Sequence, residues 1–156
     1  MSQVYLYPTN YNFGLSDYPM KDTELKRQRD RALYEAYIKG LEEGRFASMR
    51  DAAEFVRQQP APQFYISPRE ASLQIGRIEA RISLIGLNSL SRRKIWDLYD
   101  RYVLYLRQHP DTSLTRERIL EILVEEPAPQ FYIGAEMARK ILQQENARIR
   151  KKWQNG

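Results

Sequence analysis

Apolar side chains recur at helical spacing at two places in the chain. In the first half, the positions i, i+3, i+4 and i+7 are occupied by Tyr34, Tyr37, Ile38 and Leu41. In the second half, the same positions are occupied by Tyr99, Tyr102, Val103 and Leu106. This spacing puts four side chains on one helical face, and it predicts an amphipathic helix in each half of the chain.

An identical heptapeptide, Pro-Ala-Pro-Gln-Phe-Tyr-Ile, occurs at residues 60–66 and again at residues 127–133, 67 positions further on. Ala71 and Ala138 match in the same register. Such self-similarity indicates an internal duplication. We therefore predict an all-α protein in which two tandem three-helix repeats, residues 21–88 and 89–156, form one pseudo-symmetric body.

Cap residues predict where the shorter helices begin. The second helix of each repeat should begin at Ser48 and at Thr115, and each should end before the proline of the heptapeptide. The third helix of the first repeat has Ser67 as its N-cap, Pro68 in its first turn and Glu70 to complete a capping box.

The third helices carry apolar seams of different polarity. The seam of the first repeat is formed by Ala71, Ile75, Ile78, Ile82 and Ile85. The seam of the second repeat is formed by Ala138, Leu142, Ile149 and Trp153, and Glu145 interrupts it. The difference indicates that the two repeats have diverged.

The heptapeptides themselves cannot begin as helix, because both prolines lack an amide donor and restrict the residue before them. We interpret them as extended connectors whose Phe and Tyr pack onto the helices. Two alternatives remain open: very short strands at the Phe-Tyr-Ile segments that pair the two repeats, and equivalent docking sites for a partner.

Residues 1–20 lie outside the repeats and hold five aromatic side chains among chain-breaking prolines and a glycine. The aromatic residues are Tyr5, Tyr7, Tyr11, Phe13 and Tyr18. An arm of this composition is expected to dock on its own core or on a neighbouring subunit. Docking on a neighbouring subunit would make the protein a homo-oligomer.

Composition narrows the class of protein. The chain has no cysteine, so disulfides and thiolate metal sites are excluded and a reducing compartment is expected. The start of the chain lacks the pattern of a signal peptide, and no apolar run approaches a membrane span, so we predict a cytoplasmic protein without membrane contact.

Catalytic chemistry is not indicated. The single histidine, His109, lies before a proline and near Asp111, and one histidine with scattered carboxylates makes no convergent site. Glycine-rich phosphate loops are absent, since the seven glycines are dispersed. We expect no enzyme activity, no metal and no cofactor.

The positive charge falls in the same part of each repeat. The net charge is +5, and residues 134–156 carry six basic side chains against two acidic ones. A three-helix unit with a basic third helix resembles the trihelical helix-turn-helix modules of the homeodomain-like kind. This resemblance implies a regulatory protein that binds double-stranded DNA, with residues 67–81 as the reading helix of the first repeat.

The resemblance implies two kinds of contact. Lysine and arginine neutralise phosphates, while Arg and Gln also reach base edges. The candidates are Arg69, Gln74, Arg77, Arg81, Arg92, Arg93, Lys94, Arg139, Lys140, Gln143, Arg148, Arg150, Lys151 and Lys152. Two other interpretations stay open: a basic face that is only solvated, and an oligomeric assembly or adaptor protein, for example of a phage or mobile element.

Overall fold

A computed structural model describes residues 22–155 of the chain, and within this range all regular structure is α-helical. The helices are α1 (Asp22–Glu42), α2 (Met49–Arg57), α3 (Pro68–Glu79), α4 (Ser89–Gln108), α5 (Arg116–Leu123) and α6 (Ala135–Asn155). The all-α prediction is confirmed. The predicted aromatic arm, residues 1–20, lies outside the described residues, and none of the helices within them is long and apolar enough to cross a membrane.

The helix starts follow the predicted caps. Ser48 Oγ accepts a hydrogen bond from the amide of Asp51 at 3.2 Å, and Ser67 Oγ accepts one from the amide of Glu70 at 3.0 Å. Thr115 Oγ1 does the same for α5. Each side chain satisfies an amide that has no partner within the first helical turn.

The six helices pack as two groups that do not follow chain order. In the first helix group, α6 packs on α1 and α2; in the second helix group, α3 packs on α4 and α5. Among the described residues, no Cα atom of α3 comes within 8 Å of one in α1 or α2. The third helix of each half therefore packs on the other half of the chain.

The heptapeptides meet where the chain crosses between the groups. Ala61 and Ala128 form an isolated antiparallel bridge, with both amide-to-carbonyl distances at 2.9 Å. The amide of Phe64 donates to the carbonyl of Val124, and the amide of Phe131 donates to that of Arg57. The same bond is thus made twice, at positions 67 apart.

The alternative of short strands at Phe-Tyr-Ile is wrong for this fold, since no strand occurs among the described residues and the pairing lies at the alanines instead. The backbone explains the difference. Tyr65 has a φ of 54° and Tyr132 a φ of 59°, both in the left-handed region. A left-handed residue breaks the extended path that a strand requires.

One core runs through both helix groups. Phe64 is fully buried, stacks beside Tyr132 with ring centroids 6.1 Å apart, and lies under the guanidinium of Arg101. The phenylalanines of the connectors are therefore core residues. This confirms the interpretation that their aromatic rings pack onto the helices.

The predicted seams are correct only in part. Ala71 and Ile75 are buried, but α3 ends at Glu79 and Arg81 has a φ of 60°, so Ile82 and Ile85 lie in an exposed loop. Ala138 and Leu142 of α6 are likewise buried, whereas Trp153 is 81% exposed. Both buried seams are shorter than predicted, the first because α3 itself ends at Glu79 and the second because α6 continues to Asn155 with Trp153 uncovered.

Candidate nucleic-acid interface

Helices α3 and α6 each follow one of the two heptapeptides, and α6 is the longer of the two. The last residue of α3 is Glu79, and the residue 67 positions further on is Asn146. Asn146 Oδ1 accepts a hydrogen bond from Tyr34 Oη at 2.8 Å. Helix α6 then continues to Asn155, which adds roughly two and a half turns. We call residues 147–154 the α6 tail.

The α6 tail carries exposed positive charge. Arg148, Arg150, Lys151 and Lys152 are all exposed, and no acidic residue follows Glu145 in the sequence. Arg148 pairs with Glu145 at 2.6 Å, and this hydrogen bond raises the pKa of the guanidinium. Among the described residues, the other three cations form no ion pair, so their charge faces solvent.

The candidate residues in the first half of α6 include one, Arg139, that is held in an ion pair within the helix. Arg139 pairs with Glu136 at 2.8 Å, and the hydrogen bond raises the pKa of Arg139 and lowers that of Glu136. Lys140 and Gln143 are exposed. An ion pair within the helix partly cancels the field of Arg139, so the positive potential of α6 is concentrated in its tail.

The candidates on and after α3 differ in accessibility. Arg69 and Arg81 are exposed, and Arg77 is half-buried. Gln74 is only 8% exposed, and its Nε2 donates to Glu70 Oε2 at 2.7 Å. Gln74 is therefore nearly buried and engaged by Glu70, which does not suit a contact to a base edge.

A third set of candidates lies at the start of α4. Arg92 Nη1 donates to the carbonyl of Leu87 at 2.6 Å, which closes the loop that precedes the helix. Arg93 is exposed, and Lys94 is half-buried. The first turn of α4 has no acidic residue, although acidic residues are favoured at the start of a helix.

Lys94 lines a cleft of about 460 Å³ between the two helix groups. Helix α1 contributes Leu25, Lys26 and Arg29 to its wall, and Glu70 and Gln74 of α3 face them. Lys26 and Arg29 are not among the candidates predicted from the sequence. For Arg29, the available signal was the match of Arg27 and Arg29 to Arg92 and Lys94, 65 positions further on, the same spacing that relates Tyr34 to Tyr99; Lys26 has no basic counterpart at this spacing.

A helix-turn-helix module pairs the reading helix with the helix that precedes it in the chain. Among the described residues, α2 does not pack on α3 and α5 does not pack on α6. Helix α2 packs on α6, and α5 packs on α3, so each such pair joins the two halves of the chain. His109 lies away from any acid cluster; its ring stacks on Tyr105, and its Nδ1 is 3.0 Å from the Tyr105 carbonyl oxygen.

No protein-family model, no curated protein and no solved structure matches this chain. The geometry of the described residues is therefore the basis for a functional proposal.

Proposed function

We propose that this chain is a non-enzymatic nucleic-acid-binding protein whose principal contact is the phosphate backbone, made by the α6 tail. The observation that carries the proposal is the exposed set Arg148, Arg150, Lys151 and Lys152, which extends past the packed part of α6. Clustered Lys and Arg bind phosphates by displacing condensed counterions, a contribution that does not depend on sequence.

Helix α3 serves as an internal comparison for α6. It ends at Glu79 and still buries Ala71 and Ile75 against the second helix group. A third helix can therefore fulfil its packing role without the residues that follow Asn146. The α6 tail is additional to the fold, which favours a binding role for its charge.

The helix dipole explains only part of this charge. A cation in the last turn of a helix is stabilised by the partial negative charge at the C-terminus, and Lys152 occupies the last turn of α6. The effect falls off within that turn. Arg148 and Arg150 lie before it, so their clustering requires another reason.

We further infer that the chain consists of two three-helix repeats whose third helices are exchanged. The repeated heptapeptide, the paired bonds at positions 67 apart and the matching helix contacts support this inference. In the exchanged arrangement, α3 would bring Arg69, Arg77 and Arg81 to a duplex as the counterpart of α6. Double-stranded DNA, the ligand that the helix-turn-helix resemblance implies, is thus the first ligand to test.

The test is binding to a dye-labelled mixed-sequence DNA duplex, followed by anisotropy at increasing salt. A tail variant with Arg148, Arg150, Lys151 and Lys152 changed to Ala should bind much more weakly. Its salt slope should fall by about 0.9 for each lost phosphate contact.

The matched control removes four exposed cations elsewhere, by changing Arg31, Lys39, Arg50 and Arg107 to Ala. This control variant has the same net charge as the tail variant and should keep most of the affinity. An equal loss in both variants would mean that net charge alone drives binding, and absence of binding at low salt would refute the proposal.

An oligomeric assembly or adaptor protein is the second candidate, and the cleft between the helix groups favours it. Leu25, Ile66 and Leu87 give this cleft an apolar part beside its cations. The expected partner would engage the cleft and the aromatic arm. Light scattering on the full chain distinguishes the two candidates, since a stable oligomer without nucleic-acid binding supports only the second.

A further inference from the structure

We infer that Trp153 stacks on an unpaired base, so that the α6 tail binds single-stranded nucleic acid more tightly than duplex. This inference rests on the proposed function and names the form of its ligand. Trp153 is 81% exposed, and three cations precede it directly in the chain. Among the described residues, no other aromatic ring stacks on Trp153, so its face is open to a ligand.

The helical register explains why the ring is uncovered. Trp153 lies four residues after Ile149, on the face of α6 that also carries Ala138 and Leu142. Leu142 is fully buried and Ile149 is half-buried, so burial declines steadily along this face. Trp153 continues the seam beyond the end of the surface that covers it and plays no part in the core.

The surrounding charge determines which ligand fits. A partner must offer a flat apolar face together with negative charge beside it, because Arg150, three residues before Trp153, lies on the same side of α6 and the other cations of the tail lie close by. A strand of nucleic acid has both properties in every residue, with a base to stack and a phosphate to neutralise. Aromatic side chains among cations are the usual means by which proteins hold single strands.

Of these two properties, a duplex offers the negative charge but no free base face. Its bases are already stacked on one another, and taking one out has an energetic cost. Single strands, loops and frayed ends leave base faces free for an indole. The tail should therefore bind phosphates in both forms, and the additional contact of Trp153 should appear only with unpaired bases.

The experiment compares three dye-labelled ligands of the same length on the full chain: a mixed-sequence DNA single strand, its duplex, and a strand of abasic residues. The abasic strand keeps the phosphates and lacks the bases. We expect the wild-type protein to bind the single strand roughly 5- to 150-fold more tightly than the abasic strand, the range found for one aromatic stacking contact.

Trp153→Ala should bind the single strand and the abasic strand equally, while Trp153→Phe should retain most of the preference. Fluorescence provides a second measurement, because the chain has two tryptophans and the Trp96→Phe variant leaves Trp153 as the only tryptophan, which can be excited at wavelengths that tyrosine does not absorb. Its emission should be quenched by the single strand and not by the abasic strand.

The two proposals fail in different ways. If the wild-type protein binds none of the three ligands, the proposed function itself is wrong. If it binds all three equally and Trp153→Ala changes nothing, phosphate binding stands and base stacking is overturned.

Discussion

The amide of Ala61 donates to the carbonyl of Ala128 at 2.9 Å, and the amide of Ala128 donates back to the carbonyl of Ala61 at the same distance. Both alanines are buried, and each is the second residue of an identical heptapeptide. The connectors therefore pair with each other at equivalent positions. From this bridge each chain segment continues into the opposite helix group, which is how α3 and α6 each come to pack on the other half of the chain.

Cutting the loop between α3 and α4 should leave the two halves of the protein bound to each other. A protease site inserted between Ile85 and Gly86 would lie in an exposed part of this loop. After cleavage, α3 still belongs to the core of the second helix group and α6 to that of the first. Light scattering after gel filtration should give the mass of the whole chain. Separate elution of the halves under native conditions would contradict the packing of α3 and α6 on the opposite halves of the chain.

Gly40→Ala should destabilise the protein although alanine is the better helix former. A Cβ at position 40 would lie 2.3 Å from Cζ of Phe46, whose ring stacks on Tyr37. Overpacking of this kind costs about 1–3 kcal/mol, against a gain of about 1 kcal/mol from helix propensity. We expect the free energy of unfolding to fall by about 1 kcal/mol, the net of these two effects for a cost in the middle of this range.

The Phe46→Ala background tests this explanation by urea denaturation. With the ring removed, Gly40→Ala should become neutral or stabilising. If Gly40→Ala is equally harmful with and without Phe46, the ring is not the cause.

Tyr132→Phe should make the protein less sensitive to alkaline pH. Burial, and then the hydrogen bond that Tyr132 Oη donates to Asp97 Oδ2 at 2.5 Å, raise the pKa of this phenol far above its ordinary value. The folded state thus holds the proton more tightly than the unfolded state. Its stabilising effect is complete below pH about 10 and is lost above it, by about 1.4 kcal/mol for each pH unit.

Urea denaturation between pH 9 and pH 11 checks this prediction. Tyr132→Phe should be less stable at neutral pH by about 1 kcal/mol and should show a shallower loss above pH 10. Tyr65, the equivalent residue, is the matched control. Burial is the main cause of the raised pKa of Tyr65, and its hydroxyl makes no hydrogen bond to a described residue. Tyr65→Phe should therefore change the pH dependence of stability less than Tyr132→Phe does. Identical pH slopes for the wild type and Tyr132→Phe would exclude this role.

Ending the chain after Asn146 should leave the fold nearly intact. The truncation removes the α6 tail, whose only inward-facing aliphatic side chain is the half-buried Ile149. Its loss should cost about 1 kcal/mol. Leu142→Ala, which removes a fully buried side chain of the same helix, should cost about 2–5 kcal/mol. Thermal unfolding that collapses on truncation would show that the tail belongs to the core.

The sequence was sufficient to predict the local elements of this fold. Apolar spacing around Tyr34 and Tyr99 indicated the long helices, and Ser48, Ser67 and Thr115 marked the starts of the short ones. These features depend on residues within one or two turns of each other. Local chemistry of this kind can be read without knowing the tertiary structure.

The packing of the third helices could not be predicted in the same way. Since the two halves of the chain share the same apolar spacing, that spacing does not tell against which half Ile75 and Leu142 are buried. The connectors decide the outcome, through the left-handed backbone of Tyr65 and Tyr132 and the pairing of Ala61 with Ala128. Neither feature leaves a signal in the hydrophobic pattern.

The sequence predicts the accessibility of some candidate residues and not of others. Arg148, Arg150, Lys151 and Lys152 are exposed, as a charge run at the end of a helix indicates, whereas Gln74 is buried against α3's own Glu70. A polar residue at seam spacing cannot be assigned to the inner or outer face by type alone. Lys26 and Arg29 were missed because only the tertiary fold brings α1 to the same cleft as Lys94.

The most direct test of the nucleic-acid proposal is to locate the bound strand on the protein. Amide chemical shifts of isotope-labelled full-length chain should be recorded with a short DNA single strand and with its duplex. We predict that both ligands shift the amides of residues 147–154, and that the single strand also shifts the indole N–H of Trp153. Shifts confined to the cleft around Lys26 and Glu70, or no shifts at low salt, would contradict the assignment of nucleic-acid binding to the α6 tail.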